Sequence, residues 1–115
     1  MAGPAALLVA KLHKLGERQE SPHRLLDKDA HDVYRLLVAV ETEALAASLG
    51  LVLEDEFAGE VTDGAIEYFI ELFASGDDAP GAVMAGRAEE LIGDPAIVRV
   101  ATAALARDLI DALGR

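Results

Sequence analysis

The sequence predicts an all-α fold, a single-domain bundle of about six helices. Three observations carry this. Apolar residues make up 52% of the 115-residue chain but aromatics only 4%. The apolar share is dominated by Ala and Leu, strong helix formers with little strand preference. Apolar positions recur at i, i+3, i+4 and i+7, and no alternating strand pattern stands out. The length is that of one domain, and a chain of this size buries roughly two-thirds of its unfolded surface, enough for one cooperative core.

The elements follow in order. The first helix is predicted over residues 4–16. Pro4 fits the first turn, where its missing N–H costs nothing. Leu8, Leu12 and Leu15 form an apolar stripe, and Gly16 serves as a C-terminal stop. Residues 17–27, with Ser21-Pro22, read as a long polar connection. The second helix spans 28–40, with Val33, Leu36, Leu37 and Val40 as its buried face. The third spans 42–53 through Leu45, Leu49 and Val52, and Gly50 weakens it and is a point where it can bend or end early. The fourth is capped by Thr62 and carries Ile66, Phe69, Ile70 and Phe73. Ser75-Gly76-Asp77-Asp78 ends it. The fifth, over 80–92, is rich in small residues (Ala82, Ala85, Gly86, Ala88) that permit close helix approach. Gly93-Asp94-Pro95 supplies a C-cap, an N-cap and an N1 proline in succession. The sixth, over 95–113, buries Val98, Ala101, Leu105 and Leu109. No internal repeat or low-complexity tract interrupts this order.

Charge divides the chain into a motif-bearing helix–loop–helix (1–40) and an acidic helical extension (41–115). The net charge is −11. Residues 1–35 hold six of the ten Lys/Arg and all three His against five acids, while residues 36–115 hold four basic residues against sixteen acids. An acidic bulk surface excludes a nucleic-acid wrap. The absence of Cys excludes disulfides, thiolate metal sites and Cys nucleophiles. No apolar run approaches the roughly 18–20 residues of a membrane span. The short apolar stretch before Lys11 lacks the basic flank of a signal peptide. The expectation is a cytoplasmic protein without membrane association.

Phosphate loops, dinucleotide fingerprints, HExxH and GxSxG are all absent, and with them the chemistry they support. Asp29 and Asp32 form the sharpest pair. At i and i+3 on one helix, two carboxylates can meet one cation or share one proton-transfer task. Asp27 or Asp29 can equally act as an N-cap in the positive field of a helix start. Asp29, however, projects onto the stripe of Val33 and Leu36, and a carboxylate aimed at a core needs a partner. Lys11, Lys14 and Arg18 lie on one helical stripe and can bind phosphates or form a solvated face near the helix C-terminus. His13, His23 and His31 have no i, i+4 spacing. His31-Asp32 offers a loose metal-phosphohydrolase alternative completed by His13 or His23 and by Asp108 or Asp111. Tyr68, Phe69 and Phe73 have the spacing of core residues.

ALLVAKLHKLGER, a gap, and RLLDKDAHDVYRLL together resemble the motifs that follow the catalytic core in AbiEii-type nucleotidyltransferase-like proteins, which include toxins of type IV toxin–antitoxin systems. The family pattern is a helical Lys, an Arg shortly after, and a basic residue followed by D-x-x-D-hydrophobic. Lys11, Arg18, Lys28, Asp29 and Asp32 fall on it. The stretch APGAVMAGRAEELIGDP is similar to C-terminal extensions of actinobacterial members.

The resemblance implies phosphate binding by Lys11, with Asp29 and Asp32 as base or supporting acids; Lys14, Arg18 and Lys28 are the further phosphate-binding candidates. It implies magnesium and a nucleoside triphosphate for a complete parent enzyme. The sequence departs from the family in lacking the strand-borne D-x-D pair and Gly-rich turn that hold the metal. The expectation is therefore the helical C-terminal portion of such a protein, inactive by itself and completed by an N-terminal catalytic domain or a cognate partner. The alternative is a stand-alone acidic interaction module, binding a basic partner or forming a homodimer through residues 82–88.

Overall fold

Leu8, Leu12 and Leu15 build the buried face of α1, Pro4–Glu17, in the computed structural model. The structure describes residues 3–17, 23–90 and 92–115, with the side chains of 23–25 left aside. Helix α2 is His23–Ala39, α3 is Thr42–Leu53, and α4 is Gly59–Phe69. Helix α4 continues without a break into a π-helical turn, Ile70–Ala74. Helix α5 is Pro80–Arg87 and α6 is Pro95–Ala112. The described residues contain no strand, so the fold is an all-α bundle of six helices. Its Cα radius of gyration, 13.1 Å, is close to the ~13 Å expected of a compact domain this size.

Helix α2 starts well before residue 28. Leu26, Ala30, Val33 and Leu37 are all buried, an i, i+4, i+7, i+11 stripe that extends the helix back by a turn. Asp27 and Asp29 therefore lie inside α2, and neither caps its start. Thr62 does not cap α4 either. It is buried in the second turn, and its backbone N–H donates to Ala58 O at 2.9 Å. The turn ahead of α4 is organised by Asp55, whose Oδ1 accepts from Phe57 N at 2.8 Å and Ala58 N at 2.9 Å. Gly50 does not end α3, which runs on to Leu53.

Helix α5 is shorter than its apolar pattern predicts. After Arg87 the backbone tightens to i→i+3 bonds, with Glu89 N on Gly86 O at 3.0 Å and Glu90 N on Arg87 O at 3.2 Å. At α6 the cap is as expected. Asp94 Oδ1 accepts from Ala96 N at 3.0 Å and Ile97 N at 3.3 Å, and Pro95 is the first helical residue.

Helix α1 lies against α4 and α2, α2 crosses α5, and α6 packs on α3, α5 and the π-helical turn. The core is built on Phe69, Phe73, Leu12, Leu45, Ile66 and Leu109. Helix α5 is closely joined to its neighbours. A Cβ on Gly81 would stand 2.6 Å from Phe73 Cζ and 2.7 Å from Leu72 O, and one on Gly86 would stand 2.8 Å from Pro95 O. Gly81, Ala82, Ala85 and Gly86 are all buried. These small residues lie inside the fold, where they let α5 approach α6 and the π-helical turn.

Candidate functional site

The crossing of α1 and α2 brings Lys11, Lys14, Asp29 and Asp32 into one ion-pair cluster. Lys11 Nζ donates to Asp29 Oδ1 at 2.9 Å and to Asp32 Oδ2 at 3.1 Å. Lys14 Nζ lies 2.9 Å from Asp29 Oδ2. That oxygen has no aligned hydrogen bond, so the Lys14 contact is a coulombic pairing. The spacing on each helix explains the convergence. Lys11 and Lys14 are i, i+3 on α1, Asp29 and Asp32 are i, i+3 on α2, and such pairs share a helix face.

Asp29 is only 5% exposed. Burial pushes its carboxyl up, but the ammonium groups of Lys14 and Lys11 outweigh burial and hold it below its ordinary value of 3.8. Lys11 is held above its ordinary 10.5 by its hydrogen bonds to Asp29 and Asp32, against the opposing effect of burial. The inward-facing carboxylate thus has its partners. They are the same lysines that the sequence offers as phosphate ligands, and in this geometry both ammonium groups are already paired, Lys11 with Asp29 and Asp32 and Lys14 with Asp29.

Cations of a different kind stand on the next stripe of α2. Lys28, Asp32 and Arg35 follow i, i+4, i+7 spacing and line one cleft of about 500 Å³ with Asp27, His31 and Arg87. Asp32 and Arg35 also border a second cleft of about 470 Å³, lined by Leu7, Lys11, Leu36 and Ala39. Lys28 and Arg35 are exposed, and neither has a hydrogen-bond or ion-pair partner among the described residues. Asp32 has a side chain 34% exposed and touches both clefts.

The walls of the first cleft are held by two pairings that motif reasoning did not supply. Arg87 forks onto Asp27, with Nη2 at 2.7 Å from Oδ1 and Nε at 3.1 Å from Oδ2. The Asp27 carboxylate beside it raises the Arg87 guanidinium above its usual value against a smaller effect of burial. His31 Nε2 donates to Glu89 Oε1 at 2.6 Å. The signal for Arg35 was present in its i+7 relation to Lys28. The signals for Arg87 and Glu89 were not, because they lie about 60 residues from their partners.

Arg18 and the side chain of His23 lie outside the described residues. The other histidines are committed elsewhere. His31 is on Glu89, and His13 Nε2 donates to Val61 O at 2.8 Å while its ring meets Tyr68 edge-on. Among the described residues no group of three acids or histidines is placed to share a metal ion. The His31-Asp32 phosphohydrolase alternative therefore lacks its geometry in those residues. Tyr68, Phe69 and Phe73 are half-buried or buried, as their spacing predicts. No single described helix is long and apolar enough to cross a membrane.

No family model, curated protein or solved structure matches the chain.

Proposed function

We propose that this chain forms the helical, phosphate-facing wall of a nucleotidyltransferase-like site whose metal-binding carboxylates come from another segment or another chain. One observation supports this reading above the rest. The residues of the motif resemblance, Lys11, Lys28, Asp29 and Asp32, converge where α1 crosses α2. There Lys11, Lys28 and Asp32 border clefts that carry two cations, Lys28 and Arg35, without partners among the described residues.

The roles divide differently from those of the bare motif. Asp29 is a positioning residue. Buried and ionised between Lys11 and Lys14, it fixes the two helices and orients Lys11 on Asp32. Asp32 is the carboxylate that a ligand can reach. Lys28 and Arg35, unpaired among the described residues, are the cations that meet phosphate oxygens, and the Arg fork suits them bidentately. Magnesium does not fit this donor set. Both oxygens of Asp29 face ammonium groups and Asp32 Oδ2 is held by Lys11, which leaves only Asp32 Oδ1 of the pair open to an ion.

Calorimetric titration of the full chain with ATP tests the proposal. Charge-assisted hydrogen bonds contribute about 1.5–3 kcal/mol each, so Lys28→Ala with Arg35→Ala weakens binding by tenfold or more. Lys14→Ala, which removes a cation already paired with Asp29, changes it little. No heat of binding by the unaltered chain, or equal losses from all three substitutions, contradicts it.

A further inference from the structure

The acidic two-thirds of the chain carries an apolar feature that the α1–α2 clefts do not explain. Phe57, in the turn between α3 and α4, is 89% exposed, and Leu51 and Val61 on either side of it are 71% and 53% exposed. A large aromatic left in water is costly unless something covers it. The turn that presents it is ordered. Phe57 N donates to Asp55 Oδ1, Asp55 N to Val52 O at 3.1 Å, and Gly59 N to Asp55 O at 2.9 Å. Gly59 allows α4 to start against the end of α3, since a Cβ there would stand 2.5 Å from Leu53 O. The ring is therefore displayed from a fixed backbone, which lowers the entropy lost on docking.

Charge identifies what docks. Glu54, Glu56 and Glu60 are interspersed in sequence with the three apolar residues and are all exposed. Between Arg35 and Arg87 the sequence has no Lys, Arg or His, and it has eleven Asp and Glu. A second copy of this chain would bring the same acidic rim against itself, and like-charge juxtaposition opposes that pairing. Anionic lipid and nucleic acid are repelled for the same reason.

We propose that residues 51–61 are a docking surface for a protein partner with a basic rim around an apolar pocket, and that Phe57 is its anchor. The acidic rim steers the partner and sets register, and Phe57 with Leu51 and Val61 supplies the desolvated centre, the usual division of labour in an interface.

Two probe peptides test this on the full chain. One is an amphipathic helix of Leu and Lys about four turns long, and the other is an oligolysine of equal charge. The Leu/Lys peptide binds at least about tenfold tighter than oligolysine, and its amide shifts cluster in residues 51–61. Phe57→Ala removes most of that advantage and Phe57→Leu retains most of it. Because the ring is exposed, both variants keep the wild-type circular dichroism. Equal binding of the two peptides overturns the proposal, as does an advantage that survives Phe57→Ala. So does a dimer in light scattering that Phe57→Ala dissolves, which would make a second copy the occupant. Phe57-dependent binding to phosphatidylserine vesicles, which would point to a membrane, also overturns it.

Discussion

The ammonium of Lys11 lies 2.9 Å from Asp29 Oδ1, across the α1–α2 crossing and eighteen residues away in sequence. This contact ties the two motif-bearing helices together. Removing one partner of a fully buried pair costs about 3–5 kcal/mol. Lys11 is part-exposed and Asp29 also keeps Lys14, so Lys11→Met costs about 1–3 kcal/mol by the same argument. Urea unfolding of Lys11→Met, Asp29→Asn and the double variant gives a coupling of about 1–2 kcal/mol. Strict additivity would mean that the pair contributes nothing.

The same pair sets a pH window. Asp29 is depressed below 3.8 in the folded state. Its contribution is present above that value and is lost as pH falls through the folded pKa. Lys11 is raised above 10.5. Its contribution is complete below that value and is lost as pH rises through the folded pKa. Stability from this pair is therefore level between the two values and falls on both sides. Chemical denaturation across pH checks this. Asp29→Asn flattens the acid limb, and an unchanged acid limb would remove Asp29 as its source.

Two glycine substitutions have opposite signs. Gly50 sits within α3 with nothing within 4 Å of an added Cβ, so Gly50→Ala stabilises by about 0.5–1 kcal/mol. Gly81→Ala drives a Cβ against Phe73 and Leu72 O and costs about 1–3 kcal/mol. Thermal unfolding separates them. A neutral Gly81→Ala would show that α5 is not pressed against the π-helical turn.

At the start of α6 the Asp94 side chain accepts from two backbone N–H groups. Asp94→Ala costs about 1 kcal/mol, while Asp94→Ser retains most of the cap. Guanidinium unfolding of the two variants distinguishes loss of the cap from loss of charge.

Local pattern made much of the fold legible. The Leu8–Leu12–Leu15 stripe, the bounds of α3 and the Asp94-Pro95 start of α6 all follow from neighbouring residues. Misplaced features depended on distant ones. Helix α2 begins early because Leu26 finds a buried place in the core. Helix α4 begins before Thr62 because Asp55 organises the turn ahead of it. Helix α5 stops at Arg87, where Glu89 is drawn to His31. At the site, i, i+3 spacing put Asp29 with Asp32 and Lys11 with Lys14. It could not tell that each pair would neutralise the other, because that depends on how α1 crosses α2. The cleft cations without partners among the described residues, Lys28 and Arg35, share a stripe that spacing alone could have singled out.

The phosphate-facing role of the α1–α2 wall is tested most directly by amide NMR of the full chain titrated with inorganic triphosphate. The prediction is saturable shifts centred on Lys28, His31, Asp32 and Arg35, reduced by Arg35→Ala, while Asp29 and Lys14 move little. Shifts absent at millimolar triphosphate, or centred outside α2, would contradict it.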